Sequence, residues 1–587
     1  MIFTFRSIQA VNTDHPLLRP EHIFRTLSVG ALAPLVVLAL GAPCSTAHFV
    51  FESYWPGPVT DYWMFLPTVA SFWQGDWSLQ DLLKPHGGHR HFFPRLLLLL
   101  DYLLVSGRNI FVLLCSFLLQ LLTATILVRG ICQQRRTFGW QLTLFLVALT
   151  IVLLFSATQL ENFVHAWNVC FYVTIAAATA SLRALVCAHE GLLRRETHWL
   201  PRAWLAAAFA SAIVASYSMI NGLLVWPALV VVGFTRRCSG RWIALFLIGA
   251  FVVAGLYFID YPRRTLAALE LLNPREALWW ITAYLGAPLS REYGTWGRIL
   301  GGVAIVLSAA LLVRLIIWRP NLTPIESVCL GLLVVTLGTA GMTTSGRIYL
   351  SGGWSAPRYQ SFVLLFWLCL AVLGSATPIS RPGVRYGLRF LLMVAGIAWV
   401  AFVLRPAESE QVKRITSFAR EARLANAAIV VGVQDAPELR VVRGMTATWN
   451  VARSIVFLRE EGLGPFADKR ASLLGTRLGY PLKPVRDPGC HGKGMEVTRL
   501  PQSGALRVRG WASPGAKRAL PWALVATNEA GDVVGLGESE SELGMDGYYW
   551  ILYSRPPQQA GGLVVWAVRD EYEVCLVTHL QVNSAVH

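Results

Sequence analysis

The residue types best suited to chemistry lie in one polar stretch, residues 48–95, between two long apolar runs. Acidic, histidine and arginine side chains alternate there with aromatic ones, as they do in few simple connectors. Asp61 stands near its beginning, in GPVTDYWMF. Partial burial or a neighbouring cation could tune this carboxylate to act as a general base toward a hydroxyl. The alternatives are a carboxylate that holds a divalent cation or one that caps a loop or helix.

The end of the same stretch, HGGHRHFF at residues 86–93, brings His89 and Arg90 together beside two glycines. Charge-assisted hydrogen bonds and closely approaching backbone N–H groups are suited to binding a phosphate. Three histidines also raise a metal site, and a solvated loop with a snorkelling arginine is the structural alternative. We favour phosphate or sugar contact over metal.

A polar break at residues 156–168, SATQLENFVHAWN, interrupts two apolar runs. Glu161 and His165 are four residues apart, so one helical face would bring them together. Ionisable groups at membrane depth are candidates for function, whereas the same groups at the surface would only be solvated.

The segment 343–359 carries Arg347, Arg358 and Tyr359. If it lies on the outer side of the membrane, its arginines oppose the usual charge bias, so we expect a lipid phosphate or an ion pair with a carboxylate to hold them. Arg263 and Arg264 have the same two interpretations, and contact with lipid headgroups is favoured. We predict that residues 158–161 and 356–359 are the partners of the polar stretch.

The elements that must position these residues are membrane helices. Of the 587 residues, 55% are hydrophobic and 14% are charged, against about 25% charged in soluble domains. Apolar runs of membrane-spanning length predict eleven transmembrane helices. They cover residues 27–47, 109–129, 138–156, 169–187, 204–217, 220–235, 242–259, 296–317, 325–343, 360–378 and 386–404. The shorter run 92–107, with Arg95 and Asp101, is predicted to lie on or dip into the membrane.

The distribution of arginine predicts the orientation. Most arginine clusters fall on one side if residues 1–26 are cytoplasmic, as the positive-inside rule requires. The polar stretch, the break, the segment 343–359 and the C-terminus then share the outer, periplasmic side of a bacterial inner membrane. Because this bias accounts for the net charge of +17, no nucleic-acid partner is predicted.

Residues 406–587 lack an apolar run long enough to span a membrane. We predict a periplasmic α/β connecting segment over 406–490 and a periplasmic β-sandwich over 491–587, from short alternating strands separated by turn residues. Cys490 precedes the first of these strands and Cys575 lies in the last. In an oxidising compartment they could form a disulfide; the alternative is two unpaired thiols.

Common catalytic motifs are missing from the sequence. No nucleotide-binding loop, GxSxG elbow or HExxH helix occurs. A cytosolic nucleotide-sugar site therefore has no support, and an enzyme on the outer face would need an activated donor carried by the membrane.

The stretches TDYW, HGGHRHFFPRLL, FSATQLENFVHAWN, SYSMINGLLVWP, YLGAPL and SAPRY, within the helical arrangement of residues 25–405, resemble the GT-C superfamily of glycosyltransferases. The resemblance implies a polyprenyl-phosphate sugar donor, a glycan or lipid acceptor and transfer with inversion in cell-envelope glycan assembly. It also implies that Asp61 is the base, while Arg90, His89, Arg347 and Arg358 stabilise the leaving phosphate. Some members use a divalent cation, which stays open here. Asp61 is followed by Tyr62, so the paired acids of several such families are absent.

Two other functions stay open. A transporter or flippase of lipid-linked glycans would show broken helices in matching halves, and only the pair 204–217 and 220–235 is broken. An acyl or phosphoethanolamine-type transferase, or a non-catalytic envelope assembly protein, is the other; a scaffold would tolerate loss of Asp61. If the transferase hypothesis is right, Asp61, Arg90, Glu161 and Arg358 should converge on one cavity.

Overall fold

The computed structural model describes residues 20–581 with several gaps. The gaps are residues 196, 198, 262–272, 290–294, 319–320, 349–354, 377–381, 445, 486–489, 514–519, 542–546, 556–561 and 570–571. Arg263 and Arg264, predicted to contact lipid headgroups, lie outside the described residues.

The first two thirds of the chain is helical. Its helices, and those that follow, are α1 Pro20–Glu52, α2 Leu66–Trp73, α3 Leu79–Leu83, α4 Phe92–Val105, α5 Ile110–Gln133, α6 Arg135–Phe138, α7 Trp140–Leu154, α8 Leu160–Val164, α9 Val169–Leu193, α10 Trp199–Ser216, α11 Val225–Thr235, α12 Gly240–Tyr257, α13 Pro274–Gly286, α14 Thr295–Trp318, α15 Pro324–Arg347, α16 Gln360–Ala376, α17 Pro382–Trp399, α18 Arg405–Val431, α19 Glu438–Arg443 and α20 Thr448–Glu460.

Each of the eleven predicted apolar segments falls on a helix. Among the described residues, ten helices are long and apolar enough to cross a membrane, and the segment Ile220–Thr235 is shorter. The chain is therefore a multipass α-helical membrane protein. At its centre α9 is buried on nearly all sides, among α5, α10, α11 and α15. A helix that is apolar all round belongs in such a position.

The predicted interfacial segment forms α4, and its two charges have local structural partners. The Asp101 carboxylate accepts backbone N–H groups of Asn109, Phe111 and Val112 at 2.7–3.2 Å, so it caps the start of α5. Arg95 donates to the carbonyls of Leu82 and two neighbours at the end of α3. Unsatisfied groups at helix ends explain both contacts.

Helix α18 connects the membrane part to the C-terminal part. α17 passes through one π-helical turn, Val400–Leu404, directly into α18. The predicted boundary between residues 405 and 406 thus falls within continuous helix. With 27 residues, α18 is about 40 Å long at 1.5 Å per residue. It packs on the break at 156–168 near its start and on the sheet further along.

The C-terminal part is the predicted β domain, formed as one continuous sheet. Its strands are β1 Arg477–Leu478, β2 Pro481–Pro484, β3 Gly492–Arg499, β4 Leu506–Ala512, β5 Ala523–Thr527, β6 Val533–Ser541, β7 Tyr548–Ser554, β8 Gly562–Val568 and β9 Glu573–Gln581, in the order β1-β2-β9-β8-β5-β6-β7-β4-β3. β1, β2 and β9 pair in parallel, and the other neighbours are antiparallel.

The sheet curls, and β3 contacts β9. The two sheets of the predicted sandwich are thus joined into one sheet through hydrogen-bonded strands. One face encloses a core that includes Val508, Trp550 and Val565, and the disulfide between Cys490 and Cys575 lies in it, as predicted. The alternate residues, such as Val525 and Tyr553, pack with the end of α18.

Candidate functional site

Asp61 lies on a short 3-10 helix, Thr60–Met64, that aromatic anchors hold in place. The following Tyr62 and Trp63 are fully buried, against α4 and α20 among others, whereas Asp61 is exposed. Burial of these two neighbours therefore leaves the Asp61 carboxylate on the protein surface. Among the described residues, no side chain or backbone group forms a hydrogen bond or ion pair with it.

The break at 156–168 is fixed by α18. The Glu408 carboxylate, near the start of that helix, accepts the Ser156 hydroxyl at 2.7 Å and the Ala157 N–H at 3.3 Å. Gln159 donates to the last carbonyls of α7. This arrangement fixes the start of α8, the helix that carries Glu161.

Three buried polar side chains join the break to the turn Pro357–Tyr359. Asn162 donates to the backbone carbonyl of Arg358 at 2.7 Å and to the hydroxyl of Ser361 at 2.8 Å. Ser361 in turn donates to Gln159 at 2.6 Å. These bonds bring the predicted partner segments together. Gln159 lies within the predicted segment 158–161, whereas Asn162 and Ser361 were not predicted as site residues; an amide and a hydroxyl beside apolar runs were the signal for them.

Glu161 and Arg358 form an ion pair at 3.8 Å. The Arg358 side chain stays 40% exposed, while that of Glu161 is 13% exposed. The guanidinium lies over the ring of Tyr359, 5.4 Å from its centre. That ring is buried against Phe171 and Tyr284, so it serves as a support for the arginine.

Electrostatic interactions link Asp61 to this pair. The Asp61 charge acts on Arg358 and on two histidines, His86 and His165. Burial lowers the pKa of His165, and nearby Glu161 and Asp61 oppose that shift. We call these five residues, Asp61, His86, Glu161, His165 and Arg358, the Asp61 cluster.

The HGGHRH segment is a tight turn. His86 and His89 exchange backbone hydrogen bonds of 2.8 and 2.9 Å. Gly87 and Gly88 have φ values of 56° and 83°, a region that favours glycine. The glycines are thus explained by the turn, whereas their predicted role was close approach to a phosphate.

The imidazoles of this turn are held neutral by burial. His86 packs on Trp167 with ring centres 4.7 Å apart, and His91 Nδ1 lies 2.7 Å from the carbonyl of Ser218. Burial, with the charge of Arg347 nearby, lowers the pKa of His89 to about 4. At neutral pH His89 can exchange hydrogen bonds but supplies no positive charge.

Arg90 does not join the Asp61 cluster. Its guanidinium donates to the backbone carbonyls of Tyr257 at 2.7 Å, Leu83 at 2.6 Å and Ile259. It therefore ties the turn to the end of α12. Of the four residues expected to converge on one cavity, Glu161 and Arg358 form an ion pair, the Asp61 charge acts on Arg358, and Arg90 is held elsewhere. Arg347, in the last turn of α15, lies within electrostatic reach of His89.

The described residues contain no group of three histidine, cysteine or acidic side chains placed to hold a metal ion. The imidazoles of the turn lie close together: the ring centre of His91 is 6.1 Å from that of His86 and 5.3 Å from that of His89, and His86 and His91 both pack on Trp167.

Comparison with known proteins gives one structural likeness. No protein-family model matches the chain, and no curated protein matches it. The fold is similar to the crystal structure of ArnT from Cupriavidus metallidurans bound to undecaprenyl phosphate, at 15% sequence identity and a TM-score of 0.35, over 74% of this chain and 78% of that one. A likeness at that identity and TM-score does not indicate a function.

Proposed function

We propose that this protein is a GT-C-type glycosyltransferase of the bacterial inner membrane. It would transfer a sugar from a polyprenyl-phosphate donor to an envelope glycan or lipid acceptor at the periplasmic face. The observation that supports this most is the Asp61 cluster: an exposed carboxylate lies within electrostatic reach of a half-buried arginine on a neighbouring element. Transfer to a hydroxyl needs a base on one side and a cation at the leaving phosphate on the other.

Asp61 is the group suited to act as the base. The acceptor hydroxyl would lose its proton to the Asp61 carboxylate as its oxygen forms a bond to the anomeric carbon. The carbon–oxygen bond to the donor phosphate breaks, its electron pair leaves with the polyprenyl phosphate, and the configuration inverts. Asp101 and Glu408 are unsuitable because backbone and side-chain donors already occupy their oxygens.

Arg358 is the group suited to the leaving phosphate. Glu161 contacts one side of its guanidinium and Tyr359 supports another, while part of it stays exposed. A guanidinium held in advance stabilises charge that develops on phosphate oxygens without reorganising during the reaction. Arg347 offers a second cation near His89. The neutral His86 and His89 would then contact sugar hydroxyls.

The test is a mass-spectrometric profile of envelope glycans in the source organism. A deletion strain is complemented with the wild type, with Asp61→Asn, with Arg358→Ala and with Asp76→Asn. Asp76 is a matched control because it is an exposed aspartate of the same polar stretch. We expect the first two variants to reproduce the deletion profile at normal membrane levels, and Asp76→Asn to restore the wild-type profile.

A deletion phenotype that both Asp61→Asn and Arg358→Ala fully rescue would contradict the catalytic assignment. It would favour a scaffold or a transporter, in which the protein transfers no sugar itself.

A further inference from the structure

A second feature, a surface pocket of the C-terminal part, has the size of a ligand site. It lies where the end of α18 meets α20 and the segment that precedes β1, and its volume is about 360 Å³. Small-molecule sites have volumes of about 300–1,000 Å³. Val430, Phe466 and Leu474 supply apolar walls, and Arg459 and Arg555 supply the charge. We call it the two-arginine pocket.

The two arginines are held in place but not neutralised. Arg459 donates from Nη2 to the carbonyl of Ile429 at 3.3 Å, and Arg555 donates from Nε to the carbonyl of Val431 at 3.4 Å. Both bonds are to carbonyls in the last turn of α18. Neither guanidinium forms an ion pair with a carboxylate of the described residues. Most of their N–H groups are therefore free to bind a ligand.

An adjacent cluster shows the opposite arrangement. Arg423 and Arg470 both pair with the buried carboxylate of Glu538. The cavity beside them is about 20 Å³, room for about one water. That cluster joins α18 to the sheet and has no space for a ligand. The two-arginine pocket differs because it has both space and unpaired positive charge, and two guanidinium groups at one cavity favour an anion.

Helix α20 relates this pocket to Asp61. At one end, Thr446 donates to the carbonyl of Thr60 at 3.2 Å, beside Asp61. At the other end, Glu461 accepts the indole N–H of Trp73, and Arg459 lines the pocket. The 13 residues of α20 span about 20 Å at 1.5 Å per residue. A molecule that occupies both places must be an oligosaccharide rather than one sugar.

We propose that the two-arginine pocket binds an acidic sugar, one bearing a carboxylate or a phosphate, within an oligosaccharide acceptor. This inference rests on the proposed transferase function, since it names the class of acceptor that Asp61 would deprotonate. Carboxylate and phosphate share the chemistry that the arginines recognise, and the experiment separates them.

The experiment measures binding to the purified full-length protein in detergent by isothermal titration calorimetry. The probes are an oligogalacturonate, a phosphorylated oligomannose and a neutral oligogalactose of similar length. The proteins are the wild type, Arg459→Gln with Arg555→Gln, and the control Arg453→Gln. Arg453 is exposed on the same helix and does not line the pocket. A glutamine can still donate to the carbonyls that end α18, so the variant should stay folded.

We expect one acidic probe to bind the wild type and the control alike, and its dissociation constant to rise at least tenfold in the double variant. Binding should also weaken with added salt, because exposed charges are screened. The probe that binds identifies carboxylate or phosphate as the recognised group. Equal affinity for the neutral probe, no binding of either acidic probe, or an unchanged affinity in the double variant would overturn the proposal.

Asp61→Asn keeps the pocket inference distinct from the proposed function. This variant should bind the acidic probe as the wild type does and lose transfer. If Asp61→Asn binds the acidic probe and the glycan profile is unaltered, the transferase function is contradicted and the pocket inference is supported. If Asp61→Asn loses transfer as expected but neither acidic probe binds the wild type, the transferase function is supported and the pocket inference is contradicted.

Discussion

The two ends of the polar stretch at residues 48–95 have similar compositions, but their charged side chains differ in exposure and in hydrogen-bond partners. At the first end, Asp61 is exposed, and no hydrogen bond to a described residue occupies its carboxylate. At the second end, Arg90 is buried, and three backbone carbonyls occupy its guanidinium. The comparison shows that a charged residue beside aromatic ones can be either a reactive group or a structural contact between elements. Burial and partners distinguish the two.

The difference follows from the cost of burying charge. A guanidinium taken out of water needs hydrogen bonds at nearly all of its N–H groups. Carbonyls at the ends of α3 and α12 accept from all three nitrogens of the Arg90 guanidinium, and carbonyls at the end of α3 accept from Nη1 of Arg95. Arg358 keeps 40% of its side chain exposed and has one carboxylate beside it. Of these three arginines, Arg358 is therefore the one that can still bind a phosphate.

The largest effect should come from Asp61. Asp61→Asn keeps the size of the side chain and removes its basicity, so we expect the transfer rate to fall by about 10²–10⁴, as for loss of a general base. The rate is measured with membrane lipids of the source organism as donor. Asp76→Asn should keep the wild-type rate. A rate for Asp61→Asn close to that of Asp76→Asn would contradict the role of Asp61 as the base.

Arg358 should have the next largest effect. Arg358→Ala removes the cation proposed to stabilise the leaving phosphate, and we expect a fall in transfer rate of about 10²-fold or more. Arg358→Lys keeps the charge but loses the planar fork, so its rate should lie between those of the alanine variant and the wild type. Steady-state kinetics with varied donor measures this. An alanine variant that turns over normally would make the Glu161–Arg358 pair purely structural.

Arg90 should affect stability more than chemistry. In Arg90→Ala the carbonyls at the ends of α3 and α12 lose their donor, and we expect the free energy of unfolding to fall by about 3 kcal/mol. Transfer per folded molecule should stay near the wild-type rate. Thermal denaturation in detergent, beside activity corrected for folded protein, separates the two quantities. A stable Arg90→Ala protein with no transfer would restore Arg90 to the phosphate site.

His89 should make stability depend on pH. Its pKa is about 4 in the folded protein, lowered by burial and by the Arg347 charge, against about 6.5 unfolded. The unfolded chain thus binds more protons between these values. This contribution to stability is complete above pH 6.5 and is lost as the pH falls toward 4, by up to about 3 kcal/mol at 1.4 kcal/mol per pKa unit. Thermal midpoints from pH 7.5 to 4.5 should fall less steeply for His89→Gln.

The disulfide should have the smallest effect on transfer. Cys490→Ser with Cys575→Ser opens a loop of 85 residues, and we expect the β domain to lose roughly 4 kcal/mol of stability. Reductant should lower the thermal midpoint of the wild type and leave that of the variant unchanged. Transfer below the midpoint should stay normal, because the disulfide lies in the core of the curled sheet. A reductant effect on the variant would point to another thiol.

Local patterns predicted much of this fold. Each apolar run became a helix because membrane-length hydrophobicity is a property of contiguous residues. The pairing of Cys490 with Cys575 followed from their positions at the first and last strands of the predicted sandwich. The segments around Glu161 and Arg358 were predicted as partners of the polar stretch because they share its side of the membrane, and the structure pairs these two segments with each other.

The rest depended on contacts distant in sequence. That Glu408 fixes the break at 156–168, or that Arg90 meets the end of α12, requires knowing which helix ends are neighbours. The continuous helix through residue 405 likewise reflects one π-helical turn, for which the sequence has no marker. A single sequence therefore indicates which residues are charged and near the membrane, but not which of them already have hydrogen-bond partners within the fold.

Photo-crosslinking of the donor tests the central claim most directly. A polyprenyl phosphate with a photoreactive group beside its phosphate is bound to the full-length protein and irradiated, and the labelled peptides are identified by mass spectrometry. We predict label on residues 157–165 and 355–361, lost in Arg358→Ala and retained in a folded Arg90→Ala protein. Label on the HGGHRH turn instead, lost with Arg90 and indifferent to Arg358, would contradict the account.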